Sequence, residues 1–444
     1  MIERLYQDRI LDDLLLSKKF SNVIIIEGAR QVGKTTLITE LLSKLSGKRK
    51  IIRFNLEVEK TVRANIDECS SFAEFNAFLE KNYNFDSSSN QILFIDEAQE
   101  SRQLGAFVRS MKEEWEQVKV VLTGSSMSRL FHKDVRFPVG RINRYKISPF
   151  NFYEFLLANG KDGLAKDISN WQYGEEIFPL IHKEFLLQLD KYLLTGGLPM
   201  VVRTFAEQGD YRELRKSIYL DQEEDFVRKM ILQKNYLFGD AFKGVANNLG
   251  FPSKYTHIAE KTNDAKEILS LLKKWHLILD VEQHGLNSTT LFYPKRYVYD
   301  LGIAQDRRKM PFPDLSTLET TNQVLRTQLG GILENYLFLS LDNYKLWNYD
   351  LTSWRKNSNE QVEVDFVWRV DNMLLPIECK STMRVTNRNF SSVRSFLDES
   401  GLKLGFLASC APFQVFKING QTLINLPLYL CTPEIIIKLA KEFY

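Results

Sequence analysis

Residues 28–35 have the types and the spacing of a loop that binds phosphate groups. They follow the pattern GxxxxGK[ST] and are Gly28, Ala29, Arg30, Gln31, Val32, Gly33, Lys34 and Thr35. Glycines let a backbone wrap an anion with its N–H groups pointing inward. The Lys34 ammonium can bridge two phosphates of a nucleotide, and the Thr35 hydroxyl can ligate Mg²⁺. The pattern therefore predicts a nucleotide site, with a chance match as the alternative.

Two acidic residues, Asp96 and Glu97, follow the apolar run 92–95. Such a run is typical of a strand that is buried on both faces, and ligands bind beyond the carboxyl ends of parallel strands. Asp96 can hold Mg²⁺ through water, and Glu97 can orient the attacking water or accept its proton. Together with the phosphate loop, this pair predicts nucleotide hydrolysis. The alternative is a solvated strand end.

Two further positions could act on the γ-phosphate. A predicted strand at 119–123 ends in polar residues, and Thr123 and Ser125 are candidates to contact that phosphate, with Ser125 preferred. The alternative is a turn of small residues. Arg141 follows Gly140, which allows close backbone approach, and it could reach the γ-phosphate of a neighbouring subunit. An ordinary surface arginine is the alternative there.

A second group of chemically capable residues lies near the C-terminus. Glu378 and Lys380 share one face of a predicted strand because side chains alternate. Asp365 lies on the preceding predicted strand, with twelve residues between it and Glu378. Two carboxylates on neighbouring strands can hold Mg²⁺, and a lysine beside them can position an attacking water. Glu334 on the preceding helix could complete the site, and Glu363 leaves the exact ligand open. The alternative is a structural ion pair.

The elements that position the first group can be predicted from apolar runs. Strands are expected at 23–26, 51–55, 91–95 and 119–123. A helix is expected to start at Lys34, so that the positive end of its dipole faces the phosphates. These elements predict a parallel α/β sheet.

The remaining residues predict further modules. Residues 151–235 have helical apolar spacing. Residues 240–300 predict short helices at 242–249, 255–260 and 265–275 with a hairpin of 277–281 and 291–293, which together suggest a winged helix that could bind DNA through nearby lysines. Packing or protein interaction is the alternative. After residue 320, we expect a helix at 327–341, strands at 345–349, 361–368 and 374–381, a helix at 390–397 and a strand at 404–408.

The segments 28–35, 92–99 and 122–126 together resemble the AAA+ ATPases. A prokaryotic AAA+ family with an uncharacterised C-terminal domain is also similar at residues 28–36, 140–141, 148–155 and 196–199. This resemblance implies ATP and Mg²⁺ as ligands, adds Thr36 to the nucleotide loop and implies a helical lid. It also implies a homo-oligomeric ring, with a hexamer as one candidate. The C-terminal element order resembles the PD-(D/E)XK core of restriction endonucleases, with Asp365, Glu378 and Lys380 matching its motif.

These interpretations predict an α/β protein with a P-loop AAA+ core, a helical lid, a winged helix and a restriction-endonuclease-like α/β domain. The expected domains are 1–150, 151–235, 236–315 and 316–444. A length of 444 residues is compatible with about three domains at ~150 residues each.

The amino-acid composition limits which classes of protein this chain could belong to. The chain has 44% hydrophobic and 26% charged residues, with a net charge of +3, which neither requires nor excludes nucleic acid. Its four scattered cysteines form no CxxC pair, which argues against zinc and favours a reducing cytoplasm. No run of residues is apolar enough for a membrane span or a signal peptide, so no membrane association is expected.

Two functions follow from these patterns. The first is an AAA+ ATPase that acts on DNA and carries a metal-dependent nuclease domain. The second is an ATP-driven switch or scaffold that binds a protein partner or DNA without cutting. A helicase with two motor cores is less compatible with the sequence, since only one motor core is visible.

Overall fold

The computed structural model describes residues 2–15, 22–131, 142–230, 237–286, 292–308, 314–342, 349–356 and 362–443. None of the helices in these ranges is long and apolar enough to cross a membrane. The chain divides into two compact units, one of Met1–Pro149 with Lys274–His276 and one of Phe150–Lys273 with Leu277–Tyr444.

The first unit is built on a parallel sheet. Its described strands are β1 (Val23–Glu27), β2 (Lys50–Asn55), β3 (Gln91–Asp96), β4 (Lys119–Gly124) and β5 (Ile142–Lys146). Its helices are α1 (Gln7–Leu15), α2 (Lys34–Leu45), α3 (Lys60–Glu68), α4 (Phe72–Tyr83) and α5 (Leu104–Glu114). The strand order is β2-β3-β4-β1-β5 and every pairing is parallel, which confirms the predicted α/β core.

The central strands of this sheet are buried along their whole length. Every residue of β3 and β4 is buried, as expected for strands that are covered on both faces. Strand β4 lies between β1 and β3, so the strand before the phosphate loop and the acidic strand are not direct neighbours. Because all strands are parallel, their carboxyl ends meet at one edge of the sheet.

The second unit begins with helices, as predicted for residues 151–235. These are α6 (Phe152–Ala158), α7 (Asp162–Asn170), α8 (Pro179–Thr195), α9 (Pro199–Ala206) and α10 (Tyr211–Met230). Helix α6 starts with a capping box between Asn151 and Glu154. Helix α8 is followed by Gly196, whose φ of 78° favours glycine. The N–H of the next residue, Gly197, donates to the Asp300 carboxylate.

Further helices and strands follow, and two of these strands pair in a small sheet. They are α11 (Leu237–Asn247), α12 (Thr262–Lys274), β6 (Ile278–Val281), β7 (Gln283–His284), β8 (Lys295–Val298) and α13 (Leu301–Arg308). The second predicted helix is only a 3₁₀ turn, Tyr255–His257. The predicted returning strand at 291–293 was wrong for its described residues, since the strand that pairs with β6 is β8. Pro294 lacks an N–H group, which explains why regular pairing begins only after it.

In the C-terminal part of the second unit, the described strands form a sheet of seven. Its elements are α14 (Gln323–Asp342), β9 (Tyr349–Arg355), β10 (Glu363–Val370), β11 (Met373–Lys380), α15 (Ser391–Ser400), β12 (Leu404–Ser409), β13 (Gln414–Ile418), β14 (Gln421–Pro427) and α16 (Pro433–Phe443). The strand order is β13-β14-β12-β11-β10-β9-β7. Strands β10 and β11 are antiparallel, whereas β11 and β12 are parallel. The predicted strand at 345–349 falls mainly outside the described residues.

Two helical glycines of the second unit allow a matched test of its packing. A Cβ atom at Gly244 in α11 would overlap the carbonyl oxygen of His257, whereas one at Gly163 in α7 would meet nothing within 4 Å. We expect Gly244→Ala to lower the free energy of unfolding by about 1–3 kcal/mol through overpacking. Gly163→Ala should raise it by up to about 1 kcal/mol through helix propensity. Circular dichroism monitored during unfolding measures both free energies. Equal changes in the two variants would contradict the close contact between Gly244 and His257.

Candidate functional site

The phosphate-loop backbone adopts conformations that explain its glycines. Gly28 has a φ of 154°, and a Cβ atom there would overlap the carbonyl oxygen of Ile147. Gly33 precedes α2 with a φ of 91°, in the left-handed region that favours glycine. Gln31 also has a positive φ, of 63°, which its sequence position did not predict. The loop thus forms a narrow cradle, and its close contact with the Ile147 carbonyl requires glycine at position 28.

Lys34 lies in this cradle and is buried. Its ammonium donates to the carbonyl oxygens of Gly28, at 3.0 Å, and of Ala29, at 2.7 Å. Burial lowers the pKa of Lys34 to about 8, although Glu97 and Asp96 oppose that shift. The loop therefore places the Lys34 side chain, which can gain or lose a proton near pH 8, where phosphates would lie.

Asp96, at the end of β3, is the centre of a hydrogen-bond network. Its carboxylate accepts hydrogen bonds from the Thr35 hydroxyl at 2.9 Å, from the Asn55 amide at 3.1 Å and from the Thr123 hydroxyl. The donors come from the start of α2 and from the ends of β2 and β4. A hydroxyl and a carboxylate in contact fit the oxygen ligands that Mg²⁺ prefers. Sequence reasoning missed Asn55, although its position at the end of a predicted strand indicated that it could lie in the site.

Glu97 lies directly beyond this network. Its backbone has a φ of 51°, and burial raises the pKa of its carboxyl group. The side-chain amide of Gln99 donates to Glu97 Oε2. A Cβ atom at Gly124 would overlap the Gln99 oxygen, so the end of β4 fits closely against that side chain. Sequence reasoning did not identify Gln99 as part of the site.

The other residues predicted for this site have different positions. Arg30 pairs with Glu57 at 2.6 Å, and Thr36 is exposed on α2. Ser125 is buried just after β4, so its contact with a γ-phosphate stays a prediction. Arg141 lies outside the described residues.

The predicted C-terminal residues also come together. Asp365 and Glu378 lie on the paired strands β10 and β11, and the Asp365 N–H donates to Glu378 Oε2 at 3.3 Å. The Lys380 ammonium pairs with Glu378 Oε1. The Cys379 N–H donates to Asp365 Oδ2 at 2.8 Å. Burial and the Asp365 charge raise the pKa of Glu378 to about 8.

An additional lysine, which sequence reasoning missed, lies among these acids. Lys295 is fully buried, and its ammonium lies 2.7 Å from Asp365 Oδ1 and 3.0 Å from Glu334 Oε1. It also lies 3.2 Å from Glu363 Oε1. Within the described ranges, no group of three or more His, Cys, Asp and Glu side chains has the arrangement of a metal site. The assignment of Glu334, Asp365 and Glu378 as metal ligands therefore stays a prediction.

Three family models match separate parts of the chain. Residues 20–156 match an AAA domain. Residues 186–311 match a domain of unknown function (DUF8612), and residues 329–429 match another domain of unknown function (DUF4143). A search of curated proteins gives no match.

Solved structures with some similarity include three proteins. Cdc6p from Pyrobaculum aerophilum is 13% identical, with 69% of this chain and 93% of that chain covered and a TM-score of 0.29. The RuvB Holliday junction branch migration motor of Thermotoga maritima is 12% identical, with 70% and 96% covered and a TM-score of 0.32. Drosophila ORC bound to DNA is 12% identical, with 68% and 93% covered and a TM-score of 0.28.

Similarity at these TM-scores is too low to assign a function to this chain. The match of residues 20–156 agrees with the parallel sheet, the phosphate-loop cradle and the acidic strand end described above. The chain therefore contains a P-loop ATPase domain of the AAA type.

Proposed function

We propose that this protein hydrolyses ATP and uses the cycle as a switch that acts on DNA. One observation carries the first part of the proposal. At the carboxyl edge of one parallel sheet, Lys34, Thr35, Asp96 and Glu97 converge, with Thr35 and Asp96 in direct hydrogen-bond contact. The two motifs lie far apart in sequence, so their convergence requires the fold.

Each of these residues has a distinct role. Lys34 can exchange the carbonyl oxygens of Gly28 and Ala29 for phosphate oxygens, which bind an ammonium more strongly. Thr35 and Asp96 would hold Mg²⁺, which supplies positive charge at the phosphates. Buried Glu97 can orient the attacking water and accept its proton. Gln99 donates to one oxygen of Glu97 and so positions the other.

We propose that residues 237–298 bind DNA as a winged helix. Support comes from the order of α11, a 3₁₀ turn and α12, followed by the antiparallel pair β6 and β8. A bridge between Pro252 and Lys295 adds a third strand position to this small sheet. Lys261 and Lys266 are exposed at the start of α12, where a DNA backbone could approach. A protein partner is the alternative occupant of this surface.

A metal-dependent nuclease in the C-terminal sheet is the second candidate function. The observation that favours it is the placement of Asp365 and Glu378 on paired strands with Lys380 beside them.

We also propose a homo-oligomeric ring, a hexamer as one candidate, in which Arg141 completes a neighbouring site. The four cysteines are free thiols, which supports a cytoplasmic location.

Substitutions in the loop and at the strand end test the ATPase. We expect Lys34→Ala to lose ATP binding, because the cradle then lacks its cation. Glu97→Gln should keep binding but lose about 100-fold or more in turnover, since general-base catalysis contributes about that much. Phosphate release and fluorescent-nucleotide titration measure the two effects. Lys44→Ala, an exposed lysine on the same helix, is the control, and wild-type turnover by Lys34→Ala would refute the proposal.

The pH dependence of ATP binding tests the role of the Lys34 charge. Below its pKa of about 8, Lys34 is charged before nucleotide arrives. At higher pH, binding must first take up a proton, so the apparent Kd should rise about tenfold for each further pH unit. Lys34→Arg cannot titrate in this range, so any binding that it retains should lack the rise. A Kd of the wild-type chain that is flat from about pH 7 to about pH 9.5 would contradict this role.

Binding of double-stranded DNA tests the second part of the proposal. We expect an affinity that falls with salt, and Lys261→Ala with Lys266→Ala should weaken it and reduce the salt slope by about 1 for each phosphate that is no longer neutralised. Fluorescence anisotropy at several salt concentrations measures both. Lys166→Ala, an exposed lysine on α7, is the matched control. Equal effects of the control and the double variant, or no DNA binding at low salt, would exclude this surface.

A further inference from the structure

The C-terminal acidic cluster consists of Glu334, Glu363, Asp365 and Glu378, and it surrounds Lys295. This lysine comes from β8, which belongs to a different sheet from β10 and β11. Its side chain has no exposed surface. Burying an ammonium away from water is costly unless carboxylates and hydrogen bonds compensate its charge. The cluster supplies that compensation.

The donors and acceptors of this cluster match in number. A lysine ammonium has three N–H donors, and Lys295 has three carboxylates within 3.2 Å. The second oxygen of Glu363 accepts from the Gln283 amide at 3.1 Å. Tyr297 donates its hydroxyl to Glu334 at 2.6 Å. The ammonium is therefore fully coordinated by oxygen, as a bound cation would be.

Two of the three acids predicted to bind metal, Asp365 and Glu378, accept a hydrogen bond from the chain at each carboxylate oxygen. Asp365 uses Oδ1 for Lys295 and Oδ2 for the Cys379 N–H. Glu378 uses Oε1 for Lys380 and Oε2 for the Asp365 N–H. A divalent metal at Asp365 Oδ1 would displace the buried Lys295 ammonium from its shortest carboxylate contact, and one at Glu378 Oε1 would displace the Lys380 ammonium. The arrangement does not fit a divalent metal.

We infer that Lys295 is a built-in cation that takes the place of a divalent metal in the C-terminal domain. The acidic cluster then joins the small sheet to the large one and does not bind Mg²⁺ or Mn²⁺. This inference is independent of the ATPase proposal, because no residue of the phosphate loop takes part. The inference favours the ATP-driven switch over the metal-dependent nuclease, because a site occupied by Lys295 would not support metal-dependent cleavage.

Removal of the Lys295 charge tests the inference. We use the full chain without nucleotide and with Asp96→Asn, so that the ATPase site contributes no metal ligand pair. In this background, we expect no Mn²⁺ binding that depends on Asp365. Lys295→Met should create a site for one Mn²⁺ per chain, with a Kd at least ~10-fold lower than that of any residual Mn²⁺ binding by the chain that keeps Lys295. Electron paramagnetic resonance of free Mn²⁺ measures the binding.

The controls address charge and folding. Lys295→Arg keeps the charge and should not bind Mn²⁺, and Lys295→Met with Asp365→Asn should lose the created site. The inference is overturned if the chain with Lys295 binds Mn²⁺ and Asp365→Asn abolishes that binding. It is also overturned if a folded Lys295→Met chain, judged by circular dichroism, binds none. If Lys295→Met does not fold, the chain with Lys295 and its Asp365→Asn variant decide the question alone.

Discussion

The buried Asp96 carboxylate is the interaction on which the ATPase domain depends. A carboxylate is costly to remove from water unless hydrogen bonds compensate it. Here the compensation comes from Thr35, Asn55 and Thr123, which belong to three different elements. Their shared acceptor holds the start of α2 against the edge of the sheet. The position of the phosphate loop is therefore coupled to the acidic strand, and loss of one donor affects both.

The C-terminal cluster meets the same physical requirement in another way. Asp365 and Glu378 are also buried carboxylates on paired strands, but ammonium groups, from Lys295 and Lys380, lie against them. Hydroxyl and amide donors can give way to a metal at little electrostatic cost. Displacing the buried Lys295 ammonium from Asp365 costs more, because the ammonium carries its own charge and would keep only Glu334 and Glu363 as carboxylate partners. The role that we infer for Lys295 would give the two acidic sites different capacities for a metal.

Much of the fold could be predicted from local patterns. The apolar runs located β1, β3 and β4, and GxxxxGK[ST] located the turn before α2, since glycine spacing acts on neighbouring backbone. The site was predicted less completely. Asn55 reaches Asp96 only through the pairing of β2 with β3. Gln99 reaches Glu97 through the 3₁₀ turn that follows β3, which the sequence pattern did not indicate. The strand β8 was misplaced because a short apolar run does not specify its partner.

The sequence by itself determined the nucleotide loop, the acidic strand end and the candidate acids of the C-terminal sheet. Each depends on residues that are close in the chain, whose spacing dictates the backbone conformation. Only the tertiary structure decided which charge meets those acids. Lys295 is 39 residues from Glu334 and 70 from Asp365, and no local periodicity connects them. Burial makes such a contact decisive, because a low-dielectric interior requires each charge to find its partner through the fold.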